Sequence, residues 1–193
     1  MDVNETKAFF DTLAPEWDET NEVRPEILNA VPALLQGAAQ AKILDIACGT
    51  GVLEPVLLSM EPRQLWAIDL SPKMLARAKE KCRDPRVTFW CGDLFAFMEA
   101  GFDCAVLYNA YPHFPDKAAL FQKVADCLKP GGRFLLLHGD GRDVINACHG
   151  GSAKPHSQVL GPAFSEAERL SPWFEVDVIC DAARLYCISG RKK

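Results

Sequence analysis

The chain has 193 residues, 49% of them hydrophobic and 24% charged, and a formal net charge of −5, which is the balance of one soluble globular domain. Its Lys and Arg residues are scattered and its Arg191-Lys192-Lys193 tail is short, so it lacks the basic face that a phosphate backbone requires, and no nucleic-acid partner is expected. No apolar run reaches the roughly 18 residues of a membrane helix, and the first residues lack a signal-peptide pattern, which predicts a cytoplasmic chain without a membrane span.

Apolar runs alternate with helix-period stretches, which predicts an α/β fold of parallel strands and crossover helices. Residues 5–17 read as an amphipathic helix on Phe9, Phe10, Leu13 and Trp17, broken at Pro15, and residues 24–36 as a second helix. A strand over 42–46 leads to a helix over 52–59 and a second strand over 64–68. Ser71-Pro72 is an N-cap with proline at the first helical position, opening a helix to about Cys82. Strands follow at 86–90 and 102–107, then a helix over 116–128 capped by Asp116, a turn at Pro130-Gly131-Gly132 and a fifth strand over 134–138. Residues 139–163 are glycine-rich and read as a loop with a short helix around 142–148. After a short helix over 165–171, strands at 174–180 and 184–189 are joined by Asp181-Ala182-Ala183 and so should pair antiparallel.

None of the eight cysteines is spaced C-x-x-C, and Cys104, Cys180 and Cys187 lie in apolar runs, where a free thiol acts as a small hydrophobe. A reducing compartment without disulfides is expected. Cys148, His149 and His156 match no ligand spacing, so no metal is expected.

The segment Lys42-Ile43-Leu44-Asp45-Ile46-Ala47-Cys48-Gly49-Thr50-Gly51 carries the most chemistry. A buried strand ends beside an acid and feeds a tight glycine turn that opens a helix, whose free N–H groups face the same space. A dinucleotide fingerprint needs a third glycine at position 54. Glu54 stands there, and its carboxylate would repel a pyrophosphate. Asp45 instead suits a cationic ligand, an ammonium or a sulfonium, which points to S-adenosylmethionine (SAM) rather than NAD. Asp69 ends the second strand 18 residues past Gly51, where a carboxylate accepts both hydroxyls of a ribose and rejects a 2′-phosphate; its plainer role is to cap the next helix. Asp93 follows the third strand and suits an adenine amine, with Leu70, Met74 and Leu94 sandwiching the ring. In an open α/β sheet ligands sit beyond the carboxyl ends of the strands near the topological switch, so Asn109 should face the cofactor and Tyr111, His113 and Phe114 the substrate.

These motifs resemble the class I SAM-dependent methyltransferases of type 11. The matching pieces are ILDIACGTG (43–51), AIDLSPKML (67–75), CGDLF (91–95), FDCAVLYNAYPHF (102–114) and LKPGGRF (128–134), and FFDTLAPEWDETN (9–21) is similar to the lead segment of the ubiquinone/menaquinone C-methyltransferases. The resemblance implies a single domain over 1–193, with lid helices over 1–36 and a Rossmann-like core over 41–193. The core would be a doubly wound, three-layer α/β/α sheet of seven strands in the order 3-2-1-4-5-7-6, strand seven antiparallel. It implies that Asp45, Ala47, Cys48, Gly49 and Gly51 line the methionine and ribose of SAM, that Asp69 holds the ribose, and that Gly92 and Asp93 meet the adenine. Asn109 would bind the methionine amino group through its carbonyl, and Trp17 would belong to the lid. The family often has glycine at position 47, where this chain has Ala47.

The expected reaction is in-line transfer of the SAM methyl group to a small-molecule acceptor, leaving S-adenosylhomocysteine. The acceptor pocket would draw on Trp17, Tyr111, Phe114 and Phe164, with His138 or His113 as general base. Alternatives are C-methylation of a quinone-type ring and a SAM-binding protein without transferase activity. Asn109-Ala110-Tyr111-Pro112 has the wrong order for the amino-group methyltransferases. Neither the acceptor atom nor the oligomeric state is written in these motifs.

Overall fold

In the computed structural model, Lys42–Ile46 (β1) is buried at all five positions, as a strand must be when both faces are covered. The structure describes residues 2–21, 23–36, 39–149 and 151–193. On one side β1 pairs in parallel with Gln64–Asp69 (β2), which pairs with Val87–Cys91 (β3). On the other side β1 pairs with Phe102–Tyr108 (β4), which pairs with Leu128–His138 (β5). Leu185–Lys192 (β7) runs antiparallel to both β5 and Phe174–Ala182 (β6), and the full order is β3-β2-β1-β4-β5-β7-β6. The doubly wound seven-stranded sheet is therefore the one the resemblance implied. Ile46 stands level with Ile68 on β2 and Leu107 on β4, so three strand tips end together at the switch point.

Alternate residues of the strands enter two cores. Leu44, Ile46, Phe102, Phe134 and Leu136 pack with Leu120, Phe121 and Val124 of Lys117–Cys127 (helix α6 in chain order) and Ala167 and Leu170 of Ala163–Leu170 (α8). Ile43, Leu65, Val106, Leu135 and Leu137 pack against Val31 and Leu35 of Pro25–Leu35 (α3) and Leu57 of Glu54–Leu58 (α4). The remaining helices are Val3–Leu13 (α1), Trp17–Thr20 (α2), Pro72–Lys81 (α5) and Arg142–Cys148 (α7).

Boundaries depart from expectation where tertiary contacts intervene. The helix expected over 52–59 starts at Glu54, because residues 50–53 are consumed by the turn. The turn expected at 130–132 is absorbed into β5, whose register shifts opposite Phe102 and Cys104. A Cβ on Gly132 would meet the Lys129 carbonyl oxygen at 2.8 Å, so only glycine lets the chain close there. The hairpin strands are longer than expected, and the Gly151–His156 turn adds a 3-10 helix to the loop.

The amino-terminal helices lie across the strand tips. Pro15 sits in a 3-10 turn, Ala14–Glu16, between α1 and α2. Asp11 accepts from Ser71 Oγ at 2.6 Å, and Asp18 accepts from Thr50 Oγ1 at 2.5 Å and pairs with Lys81 at 2.9 Å. Arg24 pairs with Asp140 at 2.6 Å and donates to the Gly139 carbonyl at 3.2 Å.

Ala47 has φ +55°, a left-handed conformation in which a Cβ crowds the following carbonyl, at a cost of roughly 1 kcal/mol. Ala47→Gly is expected to raise urea-unfolding stability by up to about 1 kcal/mol; unchanged or lower stability would show that the turn carries no such strain.

Candidate functional site

The cradle is built from the tips of β1 and β2. Ala47, Gly49 and Gly51 all have positive φ, +55°, +58° and +86°, so the chain reverses within five residues and points its amides inward. The Asp69 carboxylate organises the turn: Oδ2 accepts from the Gly49 amide and Oδ1 from the Ser71 amide, both at 2.8 Å. Ser71 Oγ accepts from the Met74 amide at 3.1 Å and caps α5. The ribose and capping readings of Asp69 are thus compatible, since a carboxylate has about four lone-pair directions and two are taken.

Two further acids lie beneath the turn. Asp45 is 1% exposed and Glu54 fully buried, and among the described residues no group donates to either carboxylate. A Cβ on Gly51 would meet Glu54 Oε2 at 3.0 Å and Ala78 Cβ at 3.1 Å, so Glu54 fills the space under the glycine. Burial, reinforced by Glu54 and Asp69, holds the Asp45 carboxyl well above the usual range. Burial pushes Glu54 up to about 7, and Asp69 up to about 6 against the two amide hydrogen bonds that favour its ionised form. Unpartnered buried carboxyls beside a positive-φ turn fit a ligand that brings its own cation. Lone acids in such surroundings raise their pKa rather than ionise.

The adenine side follows from the tips of β2 and β3. Asp93 is half-buried and caps the Leu94–Ala96 turn by accepting from the Phe95 amide at 3.0 Å. Leu94 and Met74 are buried and Leu70 half-buried beside it. A Cβ on Gly92 would lie 2.6 Å from the Trp90 ring, so the glycine admits the indole. Beyond β4, Asn109 adopts φ +53° and its Oδ1 accepts from the Gly139 amide at 2.9 Å, which ties the exits of β4 and β5 together.

The acceptor side departs most from expectation. Tyr111 does not face substrate: it is 1% exposed, donates to Glu166 Oε2 at 2.5 Å and stacks on Phe121. The buried Glu166 carboxylate, invisible from spacing, draws the hydroxyl into the core. Phe164 stands exposed on α8. His138 does not reach the rim either. It is 1% exposed, lies edge-on to Tyr186, and burial lowers it to about 3. His113 does reach the rim, where Phe10 meets it edge-on at 4.9 Å and in turn meets Trp17 at 5.9 Å. Burial lowers His113 to about 4. Sequence reasoning missed Asp11, Asp18 and Arg24, which dock the lid, and His149, which meets His113; local patterning carries no signal for such contacts.

An acid whose folded pKa is raised stabilises the fold while protonated, and that stability is lost as pH rises through the folded value. Without ligand, the Glu54 contribution is fully present below pH 4.5 and lost as pH passes about 7. The wild type is expected to lose about 1–3 kcal/mol across that window. Glu54→Gln should flatten the urea-stability profile in part, Asp45 and Asp69 titrating in the same direction; a profile that Glu54→Gln leaves unchanged would mean that Glu54 is ionised in the fold.

Residues 43–132 match the family model of a methyltransferase domain. The chain is 30% identical over 146 residues to a malonyl-[acyl-carrier protein] O-methyltransferase of Priestia megaterium, a match that covers 73% of this chain but 52% of that protein. The chain thus spans about half the length of the curated relative it matches. Among solved structures it resembles a DhpI complex with S-adenosylhomocysteine, with a TM-score of 0.76 and 22% identity over 98% of this chain and 96% of that one. It also resembles the [4+2]-cyclase SpnF, with a TM-score of 0.77 and 16% identity over 96% and 94% of the two chains; at these identities the likeness is one of fold. Domain match and strand order agree: the chain carries a methyltransferase domain with the fold of the class I SAM-dependent methyltransferases.

Proposed function

We propose that the protein transfers the methyl group of SAM to a small-molecule acceptor. One observation carries this reading: two acids, Asp45 and Asp69, flank a positive-φ turn at the switch point, and Asp45 has no partner among the described residues. Asp45 with Ala47, Cys48, Gly49 and Gly51 would line the methionine and ribose, and Asp69 would accept the ribose hydroxyls through its two remaining lone-pair directions. Gly92, Asp93 and Leu94 with Leu70 and Met74 would enclose the adenine, and Asn109 would hold the amino group through its carbonyl. Bound SAM supplies an already electrophilic sulfonium methyl. The chain's task is to align the acceptor with it and exclude water. The lid, residues 1–36 with Trp17, would serve that exclusion, a role supported by the contacts of Asp11, Asp18 and Arg24 with the strand tips. His113 is the general-base candidate that lies at the rim; buried His138 would act only on an acceptor that penetrates to Tyr186.

The O-methyltransferase relatives favour an oxygen acceptor, while the amino-terminal segment and a demethylmenaquinone methyltransferase relative favour a quinone-type ring. A second reading, SAM-assisted chemistry other than methyl transfer, draws on the likeness in fold to a cyclase, because fold alone does not decide chemistry.

Calorimetric titration tests the reading. SAM and S-adenosylhomocysteine should bind and NAD should not, and Asp69→Ala should abolish measurable SAM binding. Binding of NAD alone would overturn the cofactor assignment, and micromolar SAM affinity in Asp69→Ala would sink the ribose role.

A further inference from the structure

We propose that His113 and His149 together bind a divalent d-block metal ion, of the zinc kind, at the acceptor rim. Their Nε2 atoms lie 3.2 Å apart. Each ring's other nitrogen meets a main-chain carbonyl: His113 Nδ1 stands 2.7 Å from the His156 oxygen, and His149 Nδ1 stands 2.7 Å from the Ile145 oxygen. A carbonyl oxygen can only accept, so both Nδ1 atoms carry the proton. With that single proton on each ring, the two Nε2 atoms face each other as bare lone pairs, and neither has a proton to give. Lone pairs opposed at hydrogen-bond distance repel. An electron-pair acceptor held between them turns that repulsion into attraction.

The geometry favours a metal in that role. Imidazole nitrogens bind zinc at about 2.0–2.1 Å, and two of them on one ion at an angle of about 100° stand roughly 3.2 Å apart. Metal-bound histidines donate their other N–H to a carbonyl or carboxylate, which selects the tautomer and aims the ligating nitrogen. Both rings here already have that second partner. The three contributing segments, the Tyr111–His113 turn, the α7 terminus and the Gly151–His156 turn, close under α1, where Phe9 stacks on His156 at 4.6 Å and Phe10 meets His113. Among the described residues no group of three or more His, Cys, Asp and Glu is gathered for a metal. The chain thus supplies two ligands and leaves the other positions to water or an acceptor oxygen, an open site rather than a closed structural one. The expectation of no metal, drawn from the spacing of Cys148, His149 and His156, is revised, because the partner of His149 lies 36 residues away.

The test is calorimetric titration of the full chain with Zn²⁺, beside Co²⁺ absorption spectra, for the wild type, H113Q, H149Q and C148S. One ion per chain with micromolar affinity is expected. It should be weakened roughly tenfold or more in H113Q and in H149Q, unchanged in C148S, and free of thiolate-to-cobalt charge transfer. No binding, binding that both histidine variants retain, or loss in C148S would each overturn the proposal. Ring ¹⁵N spectra of the metal-free wild type supply a check that needs no variant. Both Nε2 atoms should be unprotonated at neutral pH, and a proton on either, the sign of an ordinary N–H···N bond, would also overturn it. The proposal stands apart from the cofactor reading: zinc binding with no SAM binding would sink the transferase and leave this site intact.

Discussion

Asp69 accepts the Gly49 amide with one oxygen and the Ser71 amide with the other, and through these two bonds a single carboxylate joins the turn after β1 to the start of α5. The turn cannot hold itself. It runs through three left-handed residues, one of them an alanine, and such backbone persists only where its surroundings over-determine it. The strand pairing of Ile46 with Ile68 and the Cys48 amide bonded to the Ile68 carbonyl complete the clamp. The turn after β1 and the start of α5 are positioned from this knot, so the acid at the tip of β2 is a structural element of the cradle.

Three buried or nearly buried carboxyls around one turn would be a defect in an ordinary core. Burial pushes all three pKa values upward; Glu54 and Asp69 add to the rise at Asp45, and Asp69 to the rise at Glu54. A cationic ligand reverses the balance, because attraction to one positive centre is shared by several acids in a poorly screened site. On the proposed reading, stability that the fold gives up at these acids would be recovered on binding, where function and packing compete.

Of the amino-terminal helices, α3 is anchored in the core by Val31 and Leu35, while α1 and α2 meet the strand tips largely through polar contacts. Asp11 and Asp18 reach Ser71, Thr50 and Lys81, which belong to the cradle and to α5, while Arg24 reaches the Asp140 end of β5. Part-buried contacts of this kind, with Phe9 on His156 and Phe10 on His113, hold α1 and α2 against the rest of the fold. The far side of the sheet is tied differently: Arg133, 1% exposed, meets Asp177 and Ser189 and fastens β5 to the terminal hairpin.

The β1 run, the glycine turn, the acids at strand tips and the Ser71-Pro72 cap were legible in the sequence, because each depends on neighbours within a few residues. So was the antiparallel hairpin. Strand ends and the short α4 were misjudged where a turn or a neighbouring carbonyl claimed residues that propensity assigned to an element. The acceptor side was hardly legible. Tyr111 and His138 sit at strand ends like Asn109 and His113, and local pattern treats all four alike. Tertiary structure separates them, since Glu166, 55 residues on, captures Tyr111 and Tyr186 covers His138. By itself the sequence determined the strands and the glycine turn, products of short-range periodicity and turn chemistry, while the order of the sheet came through the family resemblance. Only the tertiary structure decided which rim residues reach the site and that His113 meets His149, because such contacts depend on how distant segments pack.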